Sequence, residues 1–165
     1  MVAPLAVGLA VAETDPEQAR ACLRESREVS TAVGYQSALD LVWATGIAFL
    51  IGDWAATLER GRRAIHGLRW GGGLRMGFVL HMIAGTLAAT RPDAAATIQG
   101  AAEAYLVESP KSARPLSSIV AEALGEEPAR ELRARGAHMH WDQALAYTLT
   151  QITQALNESQ SETHQ

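Results

Sequence analysis

Pro16, Trp54 and Pro92 stand 38 residues apart, and each follows a charged residue, Asp15, Asp53 or Arg91. Each also opens a stretch with the apolar spacing of a helix. Proline is tolerated in a first helical turn, where its missing N–H would have no intrahelical acceptor, so the two prolines read as helix starts. Small residues recur in the same register at Ser26, Ala64 and Ala102. A fixed period of this length is the signature of one supersecondary unit used repeatedly. A helix pair that is apolar on more than one side cannot bury its surface alone, so neighbours must cover it. The pattern predicts an all-α chain of antiparallel helical hairpins stacked on one another.

Residues 35–68 show the unit most clearly. Gly52-Asp53 interrupts a long apolar pattern, with Leu41, Trp43, Ile47 and Leu50 before the break and Trp54, Leu58, Ile65 and Leu68 after it. Around this hairpin the chain reads as a helix over 2–13, a second from Thr14 or Asp15 to Val33 stopped by Gly34, and a third over 35–51. A fourth starts at the N-cap Asp53 and ends before the glycines 71–73, a fifth covers 74–90, and a sixth runs from Arg91-Pro92-Asp93 to about Glu108. Two prolines close together, Pro110 and Pro115, predict a loop over 109–115. Three shorter helices follow: 116–124, 126–136 and 141–156. Ile119, Val120, Ala123 and Leu124 form the expected stripe of the first, and Leu145, Ala146, Leu149, Ile152 and Leu156 that of the last. The expected organisation is a single helical-repeat domain over 1–156, with three hairpins over 1–109, capping helices over 116–156 and a frayed polar tail over 157–165.

The bulk composition agrees. The 165 residues are one domain by size. Apolar residues make up 48% and aromatics only 5%, so the core must come from close approach of small side chains rather than from large rings. The net charge of −4 includes no basic block, which argues against direct nucleic-acid binding through bulk charge. The cluster Arg60, Arg62, Arg63, His66 and Arg69 reads as a solvated helix face. A single cysteine, Cys22, excludes an internal disulfide and reads as a small buried hydrophobe in a cytoplasmic protein. The apolar start lacks the basic residues of a secretory signal. The longest other apolar run, 41–51, is far short of the ~20 residues of a membrane span.

Leu124-Gly125-Glu126-Glu127, then Leu132, Gly136 and Trp141-Asp142-Gln143-Ala144 followed by Ala146, resembles the end of the helical-repeat region of large actinobacterial signalling and transcriptional regulators. Those proteins join an ATPase module, tetratricopeptide-like repeats and a LuxR-type or cyclase-like output domain. The resemblance implies a short tetratricopeptide-like solenoid with a C-terminal helical cap, acting as a protein–protein interaction module. The chain carries no G-x-x-x-x-G-K-[ST] phosphate loop, and its last helix does not read as a DNA-recognition helix.

No pattern of reactive residues predicts an enzyme, a cofactor or a metal site. His138, His140 and Asp142 form H-x-H-x-D without a fourth ligand. Glu13, Asp15 and Glu17 are explained by a helix start. Gly71-Gly72-Gly73 with Gly77 lacks the spacing of a dinucleotide fingerprint and reads as a connection between hairpins. A protein or peptide partner is instead expected on a concave face lined by Trp43, Ile47, Arg75, Phe78 and His81, with Trp70 beside the glycines. Trp54 is expected to fill space between hairpin helices. The first helix is apolar all round until Glu13, which predicts a homodimer through Leu5 and Leu9. The alternative function is a small-effector sensor that holds its ligand between hairpins.

Overall fold

The computed structural model describes residues 3–34, 36–68, 73–105 and 113–162, and all nine elements among them are α-helices. The chain divides into two compact units, Met1–Trp70 and Gly71–Gln165. The division falls between Trp70 and Gly71.

The first unit holds α1 (Ala3–Val11), α2 (Pro16–Val33), α3 (Ala38–Leu50) and α4 (Trp54–Leu68). Its helices are started and stopped by local chemistry. The Asp15 carboxylate accepts the Gln18 N–H at 3.0 Å, and Pro16 takes the first helical position. Gly34 ends α2 at φ +69°, a left-handed conformation that glycine adopts without a Cβ penalty. Ser37 and Asp40 form a reciprocal capping box at the start of α3. Asp53 caps α4 through the Ala56 N–H at 3.0 Å. α1 packs on both α2 and α3, and α3 packs along α4. Leu5, Ala12, Ala19, Leu23, Ala44 and Ile47 form the core, with Val11, Trp43 and Ile51 packed against it. At Gly8 a Cβ would lie 2.9 Å from both the Cys22 Cβ and the Ile47 Cδ1, so hydrogen at this position is what lets α1 sit close to both partners.

The second unit holds α5 (Gly73–Leu87), α6 (Pro92–Glu103), α7 (Ala113–Leu124), α8 (Glu126–Ala137) and α9 (Trp141–Glu162). α6 is its centre: it packs on α5, α7, α8 and α9, and every residue from Ala94 to Ala102 is buried. A helix wrapped on all sides needs narrow side chains, which is what Ala94, Ala95, Ala96, Gly100, Ala101 and Ala102 supply. Arg91, at the start of α6, tethers α9 by donating to the Gln151 carbonyl at 3.3 Å and the Gln154 Oε1 at 2.7 Å. Tyr105 stacks edge-on against Trp141, with ring centroids 4.3 Å apart.

The helix starts and several buried positions keep the 38-residue spacing. Pro16, Trp54 and Pro92 are the first residues of α2, α4 and α6. Three equivalent sets are buried: Ala19, Thr57 and Ala95; Leu23, Gly61 and Gln99; Ser26, Ala64 and Ala102. The turns before α2 and α6 also match. Thr14 and Asp15 both donate to the Val11 carbonyl (3.0 and 2.7 Å), as Thr90 and Arg91 do to that of Leu87 (3.1 and 2.7 Å).

Several boundaries differ from the sequence reading. α6 ends at Glu103, not near Glu108, and α7 begins at Ala113, ahead of Pro115, because proline is acceptable within a first helical turn. The rest of the predicted loop, 109–112, lies outside the described residues. α9 continues to Glu162 instead of fraying after Leu156. In α7 the buried pair is Leu116 and Val120, whereas Ile119 is 45% exposed. In α9 Ala144, Leu145, Thr148 and Ile152 face inward, and Ala146 does not.

Candidate functional site

The residues expected on a partner face divide between core and surface. Ile47 and His81 are buried, and Trp43 is packed against the core of the first unit. Arg75 and Phe78 are exposed, and Leu74, one turn before Phe78, is exposed with it. The concave face drawn through Trp43, Ile47 and His81 is thus corrected: in α3 and α5 these positions meet neighbouring helices. Trp70 and Arg69 lie outside the described residues. Trp54, expected between helices, is 52% exposed, with its ring 5.9 Å from that of Phe49. Leu5, expected as a dimer contact, is fully buried between α1 and its own neighbours, while Leu9 and Val7 remain exposed on α1.

The site with the clearest chemistry includes Arg60 and Arg63, two members of the cluster expected on a solvated face. A cleft of about 560 Å³ is lined by Arg27, Ser30, Thr31 and Gly34 from the end of α2, Gln36 before α3, and Ala56, Glu59, Arg60 and Arg63 from α4. Helical spacing produces this lining. Arg27, Ser30 and Thr31 lie at i, i+3 and i+4 on α2, while Ala56, Glu59, Arg60 and Arg63 follow the same spacing on α4. Among the described residues of the lining Glu59 is the only carboxylate, and it pairs with Arg62 at 2.9 Å. Arg63 donates to the neutral Gln36 Oε1 at 2.9 Å. Arg60 is half-buried, and its pKa is lowered first by burial and then by the Arg27 charge, with a smaller contribution from Arg63; Asp53 opposes the shift. The cleft is therefore a concentration of cations with incomplete internal neutralisation. Such a site binds and orients oxyanions. Of the predicted basic cluster, Arg60 and Arg63 face this cleft, Arg62 is paired, and His66 is exposed. Each half-pattern was visible in the chain, but the 33-residue separation of Arg27 from Arg60 (27, 60) carried no signal that they meet.

The second unit contains a buried polar cluster. The Gln99 amide, fully buried in α6, donates to Glu103 Oε1 at 2.9 Å and to Ser117 Oγ at 2.7 Å. Among the described residues, Gln99 Oε1 and His81 Nδ1 are buried without a hydrogen-bond partner. Burial lowers the His81 pKa, and the Glu103 charge partly offsets that effect. A second cleft, between α7 and α8, mixes Glu122, Glu126 and Glu127 with Arg130 and Arg133, so it lacks a dominant charge.

At the H-x-H-x-D sequence, the His138 ring contacts the Ala134 carbonyl at 2.6 Å, and His140 Nδ1 lies 3.9 Å from Asp142 on an exposed surface. Among the described residues no three side chains of metal-ligating type converge. Among them also, no helix is long and apolar enough to cross a membrane. No family model, no curated protein and no solved structure matches the chain at a significant level.

Proposed function

We propose that this chain is a non-enzymatic protein–protein interaction module, built from tetratricopeptide-like hairpins and working in the cytoplasm within a signalling or transcriptional regulator. One observation carries the reading: α2, α4 and α6 begin at equivalent residues of a 38-residue period and bury the same three positions. Repetition of a packing unit multiplies surface, which suits recognition of another chain better than assembly of a reactive constellation. The exposed pair Leu74 and Phe78, flanked by Arg75, has the makeup of an anchor for a partner segment. The test is selection of a random peptide library on the purified chain. One recurrent motif should emerge, and the corresponding synthetic peptide should bind the wild type and weaken on Phe78→Asp. Failure to enrich any motif, or a peptide indifferent to Leu74→Asp and Phe78→Asp alike, counts against the reading.

A second reading, a small-effector sensor, is favoured by the buried polar cluster of His81, Gln99, Glu103 and Ser117. Unpaired acceptors in a buried setting are costly unless something satisfies them. A ligand-dependent rise in melting temperature that is lost in Gln99→Leu would support this reading over the first.

A further inference from the structure

We propose that the cleft between α2 and α4 is a binding site for a multiply charged oxyanion, phosphate or polycarboxylate, held by Arg27, Arg60 and Arg63. The inference goes beyond partner docking and is tested separately from it.

Three guanidinium groups share one concave space with a single carboxylate, and that carboxylate is drawn to Arg62 outside the lining. Among the described residues neither Arg27 nor Arg60 has an ion-pair partner, and Arg63 is spent only on a neutral amide. Arg27 and Arg63 are exposed, whereas Arg60 is half-buried in the cleft and feels both of their charges. A cation held there is poorly screened, so an anion entering the cleft interacts more strongly than at an open surface. The chain carries a net charge of −4, so the positive field is local and points an anion to this cleft rather than to the molecule at large.

The geometry suits an oxyanion in particular. Each guanidinium presents parallel N–H donors that match the oxygens of a phosphate or carboxylate. The volume of about 560 Å³ lies within the roughly 300–1,000 Å³ of small-ligand sites. It admits either a free anion or a phosphorylated side chain carried by a partner.

Calorimetric titration in phosphate-free buffer tests the site, with sodium pyrophosphate, citrate, a decapeptide bearing one phosphoserine, and the same peptide unphosphorylated. At least one anionic titrant should bind with one-to-one stoichiometry and weaken as sodium chloride is raised. Arg27→Gln/Arg60→Gln should lose about tenfold or more in affinity, whereas Arg130→Gln, on the surface of α8, should not change it. Binding of pyrophosphate or citrate alone assigns the site to a free anion. Binding of the phosphopeptide alone assigns it to a partner-borne group, and mutual competition assigns it to the oxyanion itself. If the double variant does not fold by circular dichroism, Arg63→Gln, at an exposed position, carries the same expectation. Absence of binding by all three anions at millimolar concentration, or binding undiminished in the arginine variants, overturns the proposal. Neither outcome touches the peptide selection through Leu74 and Phe78.

Discussion

Gly100 on α6 lies against the Arg133 backbone of α8, and at the same crossing Gly136 on α8 lies against the Thr97 backbone of α6. A Cβ on Gly100 would overlap the Arg133 carbonyl, 2.8 Å from the Arg133 Cα, and one on Gly136 would overlap the Thr97 carbonyl, 3.0 Å from the Ala101 nitrogen. The obstacle is main chain, so no rotamer change relieves it. Glycine in a helix interior ordinarily costs stability relative to alanine; at this crossing the sign reverses. Gly100→Ala and Gly136→Ala should each lower the unfolding free energy by about 1–3 kcal/mol or more. Gly73→Ala, with open space at the start of α5, should change it by less than about 0.5 kcal/mol. Urea midpoints compare the three, and equal midpoints would mean that the crossing is looser than described.

The buried His81 gives stability a pH dependence of known sign. Its folded pKa lies below the ordinary value of 6.5 because burial disfavours the charged ring. Below that ordinary value the unfolded chain takes up a proton that the folded chain refuses. The contribution is therefore fully present above about pH 6.5 and is lost as pH falls toward the folded pKa, at no more than about 1.4 kcal/mol per pH unit. Relative to His81→Gln, the wild type should lose stability between pH 7 and pH 5.5. Parallel melting curves for the two proteins across that range would exclude the effect.

The turns before α2, α4 and α6 differ in their caps. Asp15 and Asp53 accept backbone N–H groups, whereas Arg91 makes no side-chain cap and reaches α9 instead. Asp15→Ala and Asp53→Ala should each cost about 1 kcal/mol. Arg91→Ala should leave the start of α6 intact and release α9, visible as faster amide exchange over residues 151–158. Faster exchange in α6 and not α9 would contradict this division.

Leu5 belongs to the core, so a dimer formed through α1 would have to use Val7 and Leu9. Leu5→Ala should cost about 2–5 kcal/mol as a buried truncation. Val7→Asp/Leu9→Asp should convert a dimer to a monomer by light scattering while the helical signal is retained. A monomeric wild type at high concentration ends the dimer expectation.

Much of the local architecture was legible in the chain. Pro16, Trp54 and Pro92 announced three helix starts, Asp15 and Asp53 two caps, and Gly34 one stop, because each acts through its own backbone or the next turn. The capping box of Ser37 and Asp40 was equally local and was missed for want of the usual Glu at its third position. Misjudged faces have a different origin. α3 and α5 are apolar on most sides, so their composition could not say that Ile47 and His81 face inward while Leu74 and Phe78 face out.

The sequence alone determined the all-helical class, the 38-residue period and the small-residue register at Ser26, Ala64 and Ala102, since these follow from torsional preference and from side-chain volume along one helix. Tertiary structure decided the rest. It placed α6 at the centre of its unit, set Gly100 against the Arg133 backbone, and gathered Arg27, Arg60 and Arg63 around one cleft. Those relationships join residues far apart in the chain, and they depend on which surfaces exclude water together, a property of packed helices that no single segment carries.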